Sequence, residues 1–234
     1  MFPQLTRATG CLWAYFEIMD QALRRAWTEI VSAGDYEQHM AAVGQAQAAA
    51  RLTCQLIGAA ARRVGDRIAV VGAGTGQMFD FLDAAVFRPY RLVFADLNPA
   101  FLARLRQRLA RCGLAAGIVA DDIERSSLAP GPALLLATLL LEHIDWRRGV
   151  EAFCELKPEV CGIIIQENPP EMTAAVTPGR RLPPSLAKAV EDAHPVLVPR
   201  DDLIAAMAQH GRACRLCAQR EVADGKKLVG LLFG

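Results

Sequence analysis

Lysine is scarce in this chain of 234 residues, and long apolar runs are absent from it. Only four of the 26 basic residues are lysines, and the formal net charge is +1 at pH 7. A chain with so small a net charge has no strong electrostatic field to attract a polyanion, which argues against a nucleic-acid substrate. No stretch approaches the roughly 18 apolar residues of a membrane-spanning helix, and the first residues lack the pattern of a signal peptide. We therefore expect a soluble, cytoplasmic protein that binds neither nucleic acid nor membrane.

The seven cysteines are scattered, and most lie within apolar stretches. This usage is typical of buried thiols in a reducing compartment. Cys214 and Cys217 form the only close pair. No second pair and no histidine at metal-ligand spacing accompanies them, so two side chains on one strand are a simpler interpretation than a zinc or redox site. No metal is expected.

Periodicity divides the chain into a helical beginning and an alternating remainder. Residues 1–64 lack strand signals and predict two or three helices, with a break at residues 32–35. Beyond Gly65, short apolar runs alternate with helical patterns, which favours a parallel sheet covered by helices on both faces. The predicted strands are 68–71, 91–95, 117–120, 134–138 and 160–165, and the predicted helices between them are 77–85, 99–112 and 146–156.

The end of the chain departs from this alternation. After a helix within residues 198–211, two strand-like runs, 213–219 and 227–233, are joined by a short turn and predict an antiparallel pair at the sheet edge. The long irregular stretch 166–184 is of the kind that is usually functional. The predicted fold is a doubly wound α/β domain (residues 65–234) with a mostly parallel seven-stranded sheet and a C-terminal antiparallel hairpin. Residues 1–64 are predicted to form an N-terminal helical cap.

A glycine-rich loop follows the first predicted strand. Gly72, Gly74 and Gly76 give the spacing GxGxG, whereas the dinucleotide-binding pattern requires a glycine at position 77, which is Gln77. Asp96 ends the next strand, 22 residues beyond Gly74. A carboxylate there can accept hydrogen bonds from a ribose diol, although it could equally cap the following turn or helix.

Two further pairs of ionisable residues follow strands. Asp121 and Asp122 end the third strand, where one of them can reach an adenine amino group, unless both are solvated turn residues. Glu142 and His143 lie just beyond the fourth strand, at the edge where open α/β sheets bind ligands. Their alternative role is to cap the next helix or to orient each other.

Taken in order, VVGAGTG, FADLNP, VADDI and LLLEHI, followed by the hairpin, resemble the class I S-adenosylmethionine-dependent methyltransferases over residues 65–234. The resemblance implies S-adenosylmethionine as cofactor and in-line methyl transfer to a small-molecule O- or N-nucleophile. Val70 and Ala133 depart from it, because family members often carry acidic residues there. The implied cofactor-binding residues are Gly72, Ala73, Gly74, Gly76, Asp96, Leu97, Asp121, Asp122, Ile123 and Thr138.

The candidate catalytic residues are His143, as a general base near its ordinary pKa of about 6.5, and Glu142. Tyr36 and His39 are expected to fold over the site from the cap, with Gln45, Gln47 and Arg51 as alternatives. Glu167 and Asn168 are expected to face the acceptor, and the pair Arg180 and Arg181 either recognises an anionic acceptor or is solvated.

Two other functions stay open. A nicotinamide-dependent oxidoreductase is disfavoured by Gln77 and by the hairpin. A non-catalytic binding module that keeps the cofactor fold is compatible with Val70 and Ala133. A homodimer is compatible with the sequence, which leaves the acceptor and the oligomeric state open.

Overall fold

The computed structural model describes residues 22, 24–193 and 195–234. The helices in these residues, apart from short 3₁₀ and π turns, are α1 (Ala33–Ala42), α2 (Gln45–Ala60), α3 (Pro99–Arg111), α4 (Trp146–Glu155), α5 (Pro184–Ala193) and α6 (Arg200–Gln209). The strands are β1 (Arg67–Val71), β2 (Arg91–Asp96), β3 (Ala116–Ala120), β4 (Leu134–Thr138), β5 (Val160–Glu167), β6 (Cys214–Glu221) and β7 (Lys227–Phe233). In this part of the chain, no helix combines the length and the apolar character that crossing a membrane requires.

The strands form one sheet in the order β3-β2-β1-β4-β5-β7-β6. The first five strands in this order pair in parallel, and β7 is antiparallel to both β5 and β6. The predicted fold class is confirmed. Chain order reverses at β1, which lies between β2 and β4, and such a switch point leaves a crevice at the carboxyl ends of the strands.

Helix α2 is built into the core of this sheet. Its Leu52 and Leu56 are fully buried, and they pack over β5 and β7, where Gly230 leaves room for both leucines. Burial of each leucine contributes about 1.5–3 kcal/mol. Part of the N-terminal helical region therefore supplies core packing to the sheet, in addition to any covering role.

The predicted helix over 77–85 is wrong. Two short 3₁₀ turns, Gln77–Asp80 and Ala84–Val86, replace it. The side chain of Asp83 accepts a hydrogen bond from the Ala85 N–H at 2.8 Å and caps the second turn. An aspartate that binds its own backbone in this way competes with a continuous helix.

The predicted break at residues 32–35 is correct only at its first residue. Ser32 is the N-cap of α1, because its Oγ accepts a hydrogen bond from the Asp35 N–H at 3.1 Å. A second break follows at Gly44, which lies between α1 and α2 and has a φ of 71°. Cys214 and Cys217 are free thiols on β6, and their odd spacing places them on opposite faces of the strand.

Candidate functional site

The glycine-rich loop folds back onto the end of β2. Gly72, Gly74 and Gly76 have φ values of 60°, 59° and 70°, a conformation that side chains rarely adopt. The Gly74 N–H donates to Oδ2 of Asp96 at 2.7 Å, and the Ala73 N–H donates to the Ala95 carbonyl at 3.0 Å. The loop therefore presents backbone, without side chains, to the space beyond the strand ends.

Asp96 supports the loop and also faces that space. Its carboxylate is only 9% exposed, and its Oδ1 accepts a second backbone hydrogen bond, from Asn98, at 2.8 Å. Burial raises the pKa of Asp96, while the N–H groups of Asn98 and Gly74 oppose that rise. A carboxylate can accept about four hydrogen bonds, so each oxygen retains capacity for an external donor.

A cavity of about 830 Å³, which we call the strand-end cavity, opens at the carboxyl ends of β1, β2 and β4. It has an N-terminal wall made by Arg24, Trp27 and Tyr36. The structure brings eight of the ten predicted cofactor-binding residues to this cavity, namely Gly72, Gly74, Asp96, Leu97, Asp121, Asp122, Ile123 and Thr138. The other two, Ala73 and Gly76, line a separate cavity behind the loop, beside α2.

Asp121 and Asp122 line the strand-end cavity and also stabilise their own turn. Asp121 accepts hydrogen bonds from the Ser126 hydroxyl at 2.6 Å and from the Ser127 N–H at 2.7 Å. Asp122 caps the turn Ile123–Arg125 and forms an ion pair with Arg24. Both interpretations of the pair, as turn residues and as cavity walls, therefore describe its geometry.

A second cavity, which we call the apolar cavity, lies beneath α1, α5 and the loop that follows β5, with about 980 Å³ of space between its walls, part of it open to solvent. Its walls are mainly aliphatic, from residues such as Met40, Leu182 and Leu186. Four residues line both cavities and form the wall they share: Trp27, Tyr36, Leu139 and His143. The Trp27 and His143 rings are packed edge to face, with centroids 4.3 Å apart.

Leu139 holds an uncommon backbone conformation in this shared wall. Its φ is 51°, which costs a residue with a side chain about 1–2 kcal/mol. The Leu139 N–H donates to the Ile164 carbonyl at 2.8 Å, which fixes the bend at the end of β4. Such strain clusters at functional sites, and here it directs the next turn, Leu141–His143, into the walls of the cavities.

Glu142 and His143 have opposite electrostatic perturbations. Glu142 is 4% exposed, and burial raises its pKa to about 7. Burial lowers the pKa of His143 to about 4. The premise that His143 keeps an ordinary pKa is therefore wrong, because an imidazole that is half-buried and packed against the Trp27 ring cannot readily carry charge. His143 is neutral at pH 7 and a weak base.

One oxygen of Glu142 has a partner and the other does not. Oε1 accepts a hydrogen bond from the Gln166 N–H at 2.7 Å. Oε2 is buried without a hydrogen-bond partner among the described residues. Because Glu142 lines the apolar cavity, this oxygen is a buried hydrogen-bond acceptor without a donor in the part of the site that the structure describes.

The four predicted substrate residues separate into two groups. Tyr36 lines both cavities and His39 lines the apolar one. Glu167 and Asn168 lie outside the walls of these two cavities, contrary to expectation. Glu167, the last residue of β5, forms an ion pair with Arg200 at 3.5 Å. Asn168 begins the following loop, and its amide donates to the Ala174 carbonyl at 2.7 Å.

The apolar cavity holds several polar residues, of which Gln45 and Arg180 were candidates from the sequence and Lys226 was not. Lys226 is 6% exposed, and its Nζ donates to the Ala175 carbonyl at 2.7 Å. The Gln45 amide donates to Oε1 of Gln166 at 2.6 Å. Arg180 forms a two-pronged ion pair with Asp224, so its charge is already partnered. Lys226 gave no signal because its burial depends on the fold of the distant loop.

Arg108 is a further residue that the sequence did not single out. It is 8% exposed, and its guanidinium binds Glu37 of α1 at 2.5 Å, Asp80 at 2.9 Å and the Thr75 carbonyl at 3.0 Å. This one side chain therefore joins α3, the glycine-rich loop and the helix that carries Tyr36.

Comparison with known proteins finds no matching family model and no matching curated sequence. Solved structures do match. Magnesium protoporphyrin IX methyltransferase (ChlM) from Synechocystis PCC 6803 with bound SAM aligns over 100% of this chain and 99% of that chain, with a TM-score of 0.60 and 10% identity. The chain has the α/β fold of the class I S-adenosylmethionine-dependent methyltransferases.

Two further structures share this methyltransferase fold. Geranyl diphosphate C-methyltransferase from Streptomyces coelicolor A3(2) aligns over 77% of each chain, with a TM-score of 0.56 and 10% identity. The [4+2]-cyclase SpnF aligns over 71% of this chain and 59% of that chain, with a TM-score of 0.54 and 12% identity. At such identities the likeness concerns the fold alone.

Proposed function

We propose that this protein is an S-adenosylmethionine-dependent methyltransferase that acts on a small molecule held in the apolar cavity. The observation that carries the proposal is the Gly74–Asp96 hydrogen bond at the strand-end cavity, which shares a wall with a second, apolar cavity. Similar structures with bound SAM or S-adenosylhomocysteine support it. S-adenosylmethionine, when bound in the strand-end cavity, would supply a methyl group activated by its sulfonium.

The residues of the strand-end cavity fit that cofactor. Gly74 has a φ of 59°, which residues with a side chain rarely adopt, and a methyl group there would be in contact with Tyr36, 3.6 Å from its hydroxyl oxygen. Asp96 retains acceptor capacity for ribose hydroxyls. Tyr36 and Trp27 form the shared wall with their rings, and aromatic faces attract a cation such as a sulfonium.

The role of this chain is to orient the acceptor and to exclude water from it. Holding two reactants in line contributes at most about 7–11 kcal/mol to a barrier. The aliphatic walls of the apolar cavity bind the body of the acceptor. The shared wall at Leu139 and His143 defines where its nucleophile meets the methyl group.

A second candidate function is a role on the same fold without methyl transfer. The structural likeness to SpnF, a [4+2]-cyclase, supports this second candidate function. In that case the protein would bind the cofactor but would not consume it. A nicotinamide-dependent oxidoreductase is less well supported, because Gln77 replaces the third glycine of the dinucleotide pattern.

The test is calorimetric titration of the protein with S-adenosylhomocysteine and, separately, with NADH. We expect binding of the first and none of the second. Asp96→Asn keeps one carbonyl oxygen for Gly74 but loses the charge, so affinity should fall about 10- to 100-fold, the scale for a hydrogen bond to a charged group. Asp201→Asn, at an 86% exposed side chain of α6, is the matched control.

Thermal unfolding of Asp96→Asn separates lost affinity from lost folding. NADH binding without S-adenosylhomocysteine binding would contradict the proposed cofactor. Equal affinities of the folded Asp96→Asn variant and the parent would contradict the assigned role of Asp96. Consumption of S-adenosylmethionine with an acceptor panel then distinguishes the methyltransferase from the cofactor-binding alternative.

A further inference from the structure

The unpaired oxygen of Glu142 requires a donor that the described part of the chain does not provide. A buried carboxylate oxygen without a partner costs free energy. Oε1 is held by the Gln166 N–H at 2.7 Å, which fixes the carboxyl group in one orientation. No Lys or Arg forms an ion pair with Glu142 among the described residues. A molecule bound in the apolar cavity, which Glu142 lines, can supply this donor.

The location of Glu142 suits a donor that is also the nucleophile. The next residue, His143, lies in the wall shared by the two cavities. His143 itself is neutral and packed against the Trp27 ring, at 4.3 Å between centroids. Glu142, the residue before His143, is the stronger base beside this wall, since its pKa is about 7 and that of His143 is about 4.

The charges of the apolar cavity select among acceptor classes. The titratable groups that line it with Glu142 are Tyr36, His39, His143, Arg180, Asp224 and Lys226. An anionic acceptor group beside Glu142 would be repelled by its carboxylate. A cationic amine would be attracted by Glu142, but its nitrogen has no lone pair to attack a methyl group until it has lost a proton. A neutral hydroxyl avoids both penalties and supplies the O–H donor.

We propose that Oε2 of Glu142 accepts the proton of a hydroxyl group on an apolar acceptor, an alcohol or a phenol, so that the protein is an O-methyltransferase. This inference rests on the proposed function. As the oxygen–methyl bond forms, the hydroxyl proton moves to Oε2 of Glu142. The methyl–sulfur bond breaks, and its electron pair stays on sulfur. The products are a methyl ether, a neutral thioether and a protonated Glu142, which returns its proton to solvent.

The acidity of Glu142 matches this role. A pKa of about 7 leaves a large fraction of the carboxylate ionised at neutral pH. A general base is most effective when its pKa lies near the working pH. His143, with a pKa of about 4, is a far weaker proton acceptor.

The test uses three probes of one shape: 2-naphthol, naphthalene and 2-naphthoate. Each is titrated into protein saturated with S-adenosylhomocysteine, and binding is followed by calorimetry at pH 8. We expect 2-naphthol to bind about 10- to 100-fold more tightly than naphthalene, the scale for a hydrogen bond to a charged group, and 2-naphthoate to bind most weakly. The preference for 2-naphthol should decline between pH 8 and pH 6 as Glu142 becomes protonated.

Glu142→Gln is the decisive variant. Its amide oxygen can keep the hydrogen bond from Gln166, which turns the NH₂ group toward the cavity. The preference for 2-naphthol over naphthalene should disappear, together with its pH dependence. Glu155→Gln makes the same chemical change at an exposed residue of α4 and should retain both.

The outcomes separate this inference from the proposed function. Failure of the parent protein to bind S-adenosylhomocysteine overturns the proposed function. Binding of S-adenosylhomocysteine without a preference for 2-naphthol overturns only the hydroxyl acceptor. A preference that survives in Glu142→Gln, or that is lost equally in Glu155→Gln, overturns the role of Glu142.

Discussion

Acidification from pH 8 to pH 4.5 should leave the contribution of the Glu142–His143 pair to stability nearly constant. The reason is that over most of this pH range the pair binds the same number of protons in the folded and unfolded states, although on different residues. Glu142 has a pKa of about 7 in the folded protein, against an ordinary 4.5. His143 has a pKa of about 4, against an ordinary 6.5. Between pH 4.5 and 6.5, the folded state carries this proton on Glu142 and the unfolded chain carries it on His143.

Each residue alone would make stability depend on pH, with opposite signs. The raised pKa of Glu142 stabilises the fold fully below pH 4.5, and this contribution is lost as the pH rises through about 7. The depressed pKa of His143 stabilises the fold above pH 6.5, and that contribution is lost as the pH falls through about 4. A tenfold change in proton affinity corresponds to about 1.4 kcal/mol, so each contribution is about 3 kcal/mol.

Single substitutions should expose these hidden contributions. We expect the free energy of unfolding of Glu142→Gln to fall by about 3 kcal/mol, relative to the parent, between pH 8 and pH 4.5, because only His143 then titrates. His143→Phe, which keeps a ring against Trp27, should gain about as much over the same range. Urea denaturation of the parent, both variants and the double variant, followed by circular dichroism, measures this. Variants that differ from the parent by the same amount at every pH would refute the reasoning.

Two further substitutions test how the glycine-rich loop is held. Gly76→Ala should lower the free energy of unfolding by about 2–4 kcal/mol, because φ is 70° and the added Cβ would lie 2.5 Å from a methyl carbon of Leu105. Gly131→Ala, at a φ of 76° with nothing within 4 Å of the Cβ, should cost only about 1 kcal/mol, and equal losses in urea denaturation would contradict the packing argument. Arg108→Met should lower stability by about 2 kcal/mol, less than for a fully buried ion pair because its carboxylate partners reach solvent. It should also weaken S-adenosylhomocysteine binding in calorimetry, and unchanged affinity would show that the cap does not depend on this residue.

The sheet could be predicted from the sequence because its strands are apolar on both faces. Runs such as Leu134–Thr138 have no polar alternation, and only a sheet covered on both sides buries them fully. The order of glycines and acids along the chain then predicted which strand ends meet, since the carboxyl ends of parallel strands share one edge. Eight of the predicted cofactor-binding residues do line one cavity for this reason, although their roles stay predictions.

The parts that could not be predicted depend on contacts between distant segments. The 77–85 segment has a helical apolar pattern, yet Asp80 is used by Arg108, 28 residues away. The pKa of His143 could not be foreseen, because its burial depends on Trp27, more than a hundred residues earlier. Glu167 and Asn168 were predicted from their position at a strand end, but side chains alternate along a strand and the following loop turns them away.

The N-terminal helices, which carry the weakest sequence signals, supply part of the wall that the two cavities share. Three separate contacts fix them over the sheet: Arg108 to Glu37, the Asn98 amide to the Trp27 carbonyl at 2.6 Å, and the Ser185 N–H to Asp35 at 2.8 Å. These contacts place Trp27 and Tyr36 in the shared wall. We expect a ligand that displaces either ring to change the walls of both cavities, because both cavities share these rings. Loss of the anchors should disturb both cavities together, whereas a change at Asp96, which lines only the strand-end cavity, acts on that one first.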